Sequence, residues 1–100
     1  TILIIGVSVD KDLVGIISEL ATFFDQVIVT HSVHPRALPT APVVVEFQRQ
    51  GVDTLVAENI SVALPLALSL AGPRDLICVT GSLFVVAGAI EQARLLGLIK

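Results

Sequence analysis

Three short stretches carry the residue types that could do chemistry. The first is Thr80-Gly81-Ser82, where the apolar run "ICV" stops and a second apolar segment begins at once. If Ser82 caps a helix there, the free amides of its first turn and the helix dipole offer a seat for a carboxylate or phosphate. A turn glycine followed by a capping serine explains the same residues without any ligand. The pattern is neither G-x-G-x-x-G nor a nucleotide-binding P-loop. The second stretch is Asp10-Lys11-Asp12. One Asp can cap a helix while Lys11 stays in solvent, or Lys11 can reach over the sheet edge to an anion. Two carboxylates this close also fit a metal-binding acidic pocket. The third is "THSVHPRAL", with His31, His34 and Arg36. Two histidines three apart, with no third ligand at a defined spacing, make a weak zinc motif. Arg36 could clamp a carboxylate or phosphate through both guanidinium nitrogens, or remain a solvated loop residue, as could His34. No Ser-His-Asp or Cys-His order is visible, and Cys78 in mid-strand is a poor nucleophile.

The elements that must hold these loops alternate. "ILIIGV" (2–7) reads as a fully buried strand. After it, Leu13, Ile16, Ile17, Leu20 and Phe24 recur at helical spacing, with Asp10 or Asp12 as cap. "QVIVTH" (26–31) is a second strand, and "DTLVAE" (53–58) a weaker third. Between them "TAPVVVEFQRQG" reads as a helix capped by Thr40, with Pro42 in its first turn and Gly51 at its end; its three consecutive valines also suit a strand. "NISVALPLALSLAG" is a helix capped by Asn59 or Ser61 and closed by Gly72, provided Pro65 lies near the first turn. "DLICVT" (75–80) is the fourth strand. The last helix runs from Ser82 to about Leu96, with Leu83, Val86, Ala87, Ile90 and Ala93 facing inward and Glu91, Gln92 and Arg94 outward; Gly97 ends it.

Strict strand-helix alternation predicts right-handed crossovers and a three-layer, Rossmann-like α/β fold: a mostly parallel sheet with helices on both faces. Ligands of such sheets bind beyond the carboxyl ends of the strands, which is where all three polar stretches fall. The 100 residues suit one domain. At 54% hydrophobic and 15% charged the chain is not disordered, and its core is aliphatic, with four Phe and no Trp, Tyr or Met. Net charge is −3 and the six Lys and Arg are scattered, which argues against nucleic-acid binding. Cys78 reads as a single buried thiol, compatible with a reducing compartment. The most apolar window is too short to span a bilayer, and the opening residues lack a signal peptide's basic flank.

Together, "VDKD" after the first strand, "HPRAL" after the second and "VTGSLFVVAGAIEQA" at the last strand-helix junction resemble the C-terminal domain of folylpolyglutamate synthase/dihydrofolate synthase, within the Mur ligase superfamily. The resemblance runs along essentially the whole chain. It implies the Mur ligase C-terminal domain type of fold and an ATP-dependent amide ligase of folate biosynthesis and one-carbon metabolism. In that reaction ATP phosphorylates a folate or dihydropteroate carboxylate, and the amine of L-glutamate attacks the acyl phosphate. The resemblance implies Ser82, with Gly81 and Arg36, for glutamate binding, and Lys11, Asp12 and His34 for nucleotide contact or for lining the cleft. No catalytic residue and no metal ligand is expected within the chain.

An Asp-Gly-Ala-His-Asn-Pro motif and a P-loop, which the family places upstream, are absent. The expectation is therefore a C-terminal ligase domain cut from a longer cytoplasmic protein. ATP and Mg²⁺ would be held mainly by a missing N-terminal P-loop domain, its partner in the same chain. The piece alone would be inactive and, with its N-terminal strand edge open, would tend to self-associate. The competing expectation is a stand-alone module that binds a small anion or dimerises without catalysis.

Overall fold

The structure is a computed structural model that describes residues 1–7, 12–31, 37–81 and 83–97, with backbone alone at 81–87 and 92. Elements alternate as β1 (Ile2–Gly6), α1 (Leu13–Leu20), β2 (Gln26–Val29), α2 (Thr40–Arg49), β3 (Thr54–Val56), α3 (Ile60–Leu70), β4 (Ile77–Gly81) and α4 (Leu83–Leu95). Among the described residues the strands form one sheet in the order β3-β2-β1-β4, every neighbouring pair parallel. The predicted α/β class holds.

Pleat alternation splits the apolar strand residues between two cores. Leu3, Ile5 and Val7 of the first strand segment join Val27 and Val29 under α1 and α2, with Ile17, Val43 and Phe47 closing that side. Ile2, Ile4 and Ile28 face the other way, beneath Ala63, Leu64 and Ala67 of α3 and Ala93 of α4. β1 is buried along its whole length because it has a strand on each flank and helices on both faces. The expected open N-terminal edge is therefore absent: β1 is central, and the outer strands are β3 and β4. Cys78, on β4, is consequently only partly buried against the first core.

Helix α1 carries Leu13, Ile16, Ile17 and Leu20 onto the first core as predicted; Phe24 packs there too but lies beyond the helix, which ends at Leu20. In α2 the three valines do not make a strand, because helical spacing sends both Val43 and Phe47 into the core and tertiary packing outweighs β-branching. Thr40 is its first helical residue and not its cap. Pro39 holds the cap position without a side-chain hydrogen bond. Gly51 follows with φ +80°, the left-handed conformation that glycine tolerates best. Glu46 is buried on α2, its carboxylate accepting from Arg49 Nη1 at 3.2 Å and Gln50 Nε2 at 3.0 Å.

Asn59, not Ser61, caps α3; its Oδ1 accepts from the Val62 amide at 3.1 Å. Pro65 lies beyond the first turn, in the second, where it removes the amide that would bond the Ser61 carbonyl. That end of the helix is exposed at Ser61 and Pro65, so water can take the carbonyl. The helix stops at Leu70, and Gly72 lies outside it, donating to Asp75 Oδ2 at 2.7 Å. On α4 the inner face differs from the expected one. Ala89 is buried and Ala93 packs on the second core, while Ile90 is 45% exposed. Gly88 explains the rotation: a Cβ there would lie 2.9 Å from Cγ2 of Ile60, so α4 meets α3 through small residues. Glu91 and Arg94 point outward as predicted. The side chains of Leu83, Val86, Ala87 and Gln92 lie outside the described residues.

Candidate functional site

The strand order fixes where a ligand can enter. From β1 the chain steps outward to β2 and β3, then α3 carries it back to β4 on the opposite flank of β1. The direction of winding thus reverses beside β1, and in open parallel sheets the crevice lies beyond the carboxyl ends at such a reversal. Gly6 and Gly81 are register partners there, so the chain leaves β1 and β4 side by side. After β2, the Thr30 amide donates to the Ile5 carbonyl at 2.9 Å. The chain then returns through Leu38, whose amide donates to the Val7 carbonyl at 2.8 Å. The described ends that flank 8–11, 32–36 and 82 therefore converge on the carboxyl end of β1.

Of the site residues expected from sequence, Asp12 and Gly81 are described. Asp12 caps α1, its Oδ1 accepting from the Gly15 amide at 3.2 Å. It is exposed, so the cap occupies one carboxylate oxygen. Gly81 does not stand in the turn; it is the last residue of β4. Lys11, His34, Arg36 and Ser82 lie outside the described residues, as does Asp10. His31, half-buried just past β2, is engaged in an interaction of its own.

Because every strand is parallel, α1, α2, α3 and α4 all begin at this edge and turn their positive dipole ends toward it. At α3 the Asn59 side chain takes the Val62 amide and also receives the Ser61 hydroxyl. An anion is the ligand that such a field favours. Among the described residues no group of three His, Cys, Asp or Glu could hold a metal ion. None of their helices is long and apolar enough to cross a membrane.

Sequence reading overlooked Thr30. It is 1% exposed, and its hydroxyl has no hydrogen-bond partner among the described residues. The available signal was a single hydroxyl residue closing the apolar run "QVIV", on the same face as Ile28 by alternation.

The family model described as Mur ligase, glutamate ligase domain, matches residues 1–83. Among solved structures, the Mycobacterium tuberculosis folylpolyglutamate synthase complexed with ADP and AMPPCP is 34% identical with a TM-score of 0.77, over 96% of this chain and 23% of that one. Escherichia coli FolC, in complex with DHPP and ADP, is 22% identical with a TM-score of 0.85, over 96% of this chain and 22% of that one, a likeness of fold. The bifunctional folylpolyglutamate synthase/dihydrofolate synthase of Yersinia pestis, complexed with AMPPNP and Mn ion, is 20% identical with a TM-score of 0.79, over 94% of this chain and 22% of that one. The chain thus spans less than a quarter of the length of these structures. Comparison with curated protein sequences gives no significant match.

Proposed function

The chain belongs to the Mur ligase, glutamate ligase domain family, and on that premise we propose that it is the C-terminal domain of a cytoplasmic, ATP-dependent ligase that adds L-glutamate to a folate or dihydropteroate carboxylate. The observation that carries this reading is the pairing of Gly6 with Gly81 at the winding reversal. It brings the chain that leads to Lys11 and Asp12 beside the chain that leads to Ser82. The similarity to a folylpolyglutamate synthase supports glutamate as the added group.

The domain's own task is to seat the incoming amino acid. Ser82 stands immediately before α4, where its hydroxyl and the first-turn amides would hold one glutamate carboxylate. Gly81 keeps that corner free of a side chain, and Arg36 adds a positive charge for the carboxylate. Lys11, Asp12 and His34 line the side of the cleft toward the nucleotide. ATP supplies the activation, converting the folate carboxylate to an acyl phosphate. The glutamate amine, held by its carboxylate and left free, then forms the amide bond as phosphate departs. ATP and Mg²⁺ are assigned mainly to an N-terminal P-loop domain of the same chain, a reading supported by the nucleotide-bound relatives, of which this chain spans less than a quarter.

The test is an assay of the full-length protein with ATP, L-glutamate and either folate or dihydropteroate. ADP, phosphate and the glutamylated product should appear together, while residues 1–100 alone should hydrolyse no ATP. A full-length protein without a P-loop, or one that releases ADP without glutamylation, defeats the reading. In isolation the outer strands β3 and β4 leave edges open to pairing. Sedimentation of residues 1–100 should therefore show self-association that rises with concentration.

A further inference from the structure

Extending the sheet register one step past the last ladder pairs places four small residues in a row. Gly6 pairs with Gly81. Ile5 pairs with Val29, and the Thr30 amide continues that ladder by bonding the Ile5 carbonyl, which puts Thr30 beside Gly6. Val29 pairs with Val56, and the Ala57 amide bonds the Val29 carbonyl, which puts Ala57 on the other side of Thr30. The row Gly81-Gly6-Thr30-Ala57 lies on the α3 and α4 face, one pleat beyond the apolar row Val79-Ile4-Ile28-Leu55. Both helices on that face present their amino ends to it.

Within this row Thr30 carries the one hydrogen-bonding side chain. It is 1% exposed and its Oγ1 has no partner among the described residues. A buried hydroxyl left unpaired is unfavourable and rare, and valine would fill the same volume without that cost. Thr54, whose hydroxyl is also unpaired, sits at the amino end of β3 opposite Val27 and faces α2, away from the crevice.

We infer that Thr30 is a further binding residue of the crevice, its hydroxyl donating to a carboxylate of the incoming amino acid that enters over the glycine pair. The inference rests on the proposed ligase reading for the identity of that ligand. The absence of side chains at Gly6 and Gly81 lets a ligand group approach the ends of β1 and β4. The positive ends of α3 and α4 select an anion over a cation at this face. The hydroxyl, free of any partner among the described residues, supplies a directed donor once the anion is present.

The experiment uses the full-length protein with Thr30→Val and Thr30→Ser. Thr30→Val should raise the KM for L-glutamate about tenfold to a hundredfold, the loss expected for a hydrogen bond to a charged group. The KM for ATP should stay put, and Thr30→Ser should restore most of the glutamate affinity. Without ligand, the melting temperature of Thr30→Val should equal or exceed that of the parent, because the lost hydroxyl had no partner. An unchanged glutamate KM in Thr30→Val overturns the inference. So does an equal rise in the ATP KM, which would place a phosphate at the hydroxyl instead, or a clear fall in ligand-free melting temperature, which would give the hydroxyl a structural role. A parent protein that adds no glutamate defeats the ligase reading itself. An active parent with an indifferent Thr30→Val defeats this inference alone.

Discussion

Gly6 and Gly81 stand opposite one another as the last residues of adjacent parallel strands. Their pairing makes one corner of two chain segments that sequence alone keeps 75 positions apart, and the predictions at the crevice depend on it.

At that corner Ser82→Ala in the full-length protein should raise the glutamate KM about tenfold to a hundredfold, the range for losing a hydrogen bond to a charged group. The ATP KM should change far less. Steady-state kinetics with each substrate varied in turn decides the matter, and equal effects on both would remove Ser82 from the glutamate seat.

Asp12 separates cap from charge. Asp12→Ala removes the acceptor for the Gly15 amide and should cost about 1 kcal/mol in urea denaturation. Asp12→Asn keeps an equally good cap and should leave stability unchanged. A loss as large in Asp12→Asn as in Asp12→Ala would show that the charge, rather than the hydrogen bond, stabilises α1.

The contact between α3 and α4 leaves no room at Gly88. A methyl there meets Ile60 Cγ2, and the resulting overpacking, about 1–3 kcal/mol, exceeds the helix-propensity gain of about 1 kcal/mol. Gly88→Ala should therefore destabilise the domain. Combined with Ile60→Ala, which removes the opposing methyl, the second change should cost less than in the parent background. Additive costs in that double-mutant cycle would contradict the packing account.

Acid should weaken the corner around Asp75. The Gly72 amide, donating to Asp75 Oδ2 at 2.7 Å, holds the Asp75 carboxyl below its usual range. A carboxylate depressed in the folded state contributes stability above its unfolded pKa of 3.8, and that stability fades as pH falls through the lower folded value. Melting of residues 1–100 between pH 6 and pH 2 should show a smaller acid-induced drop for Asp75→Asn than for the parent. Parallel profiles would refute it.

What the sequence made legible were local relations. Helical spacing identified the buried side of α1, and short polar side chains narrowed the caps to Asp10 or Asp12 and to Asn59 or Ser61, of which the fold uses Asp12 and Asn59. Strand-helix alternation gave the layered fold. Less was readable where a choice depended on distant partners. Nothing in "ILIIGV" tells that its second neighbour is "ICVTG", which fills the N-terminal strand edge that sequence leaves open. On α4, apolar residues occur nearly all round, so spacing alone could not choose between Ile90 and Ala89; the close approach of Ile60 to Gly88 does. Thr40 looked like a cap by type, yet Pro39 had already set the chain direction. At the crevice, resemblance named the residues, whereas the unpaired Thr30 hydroxyl emerged only from burial and register.

The central position of β1 also shapes how the domain is made. Ile2 finds its partner Gln26 early but must wait for Ile77, and such long-range pairing is slow to form. On a ribosome, one flank of β1 stays bare until almost the entire domain has emerged. A pause in translation between β3 and β4 would prolong that exposure and invite a chaperone, or a neighbouring nascent chain, onto the bare flank.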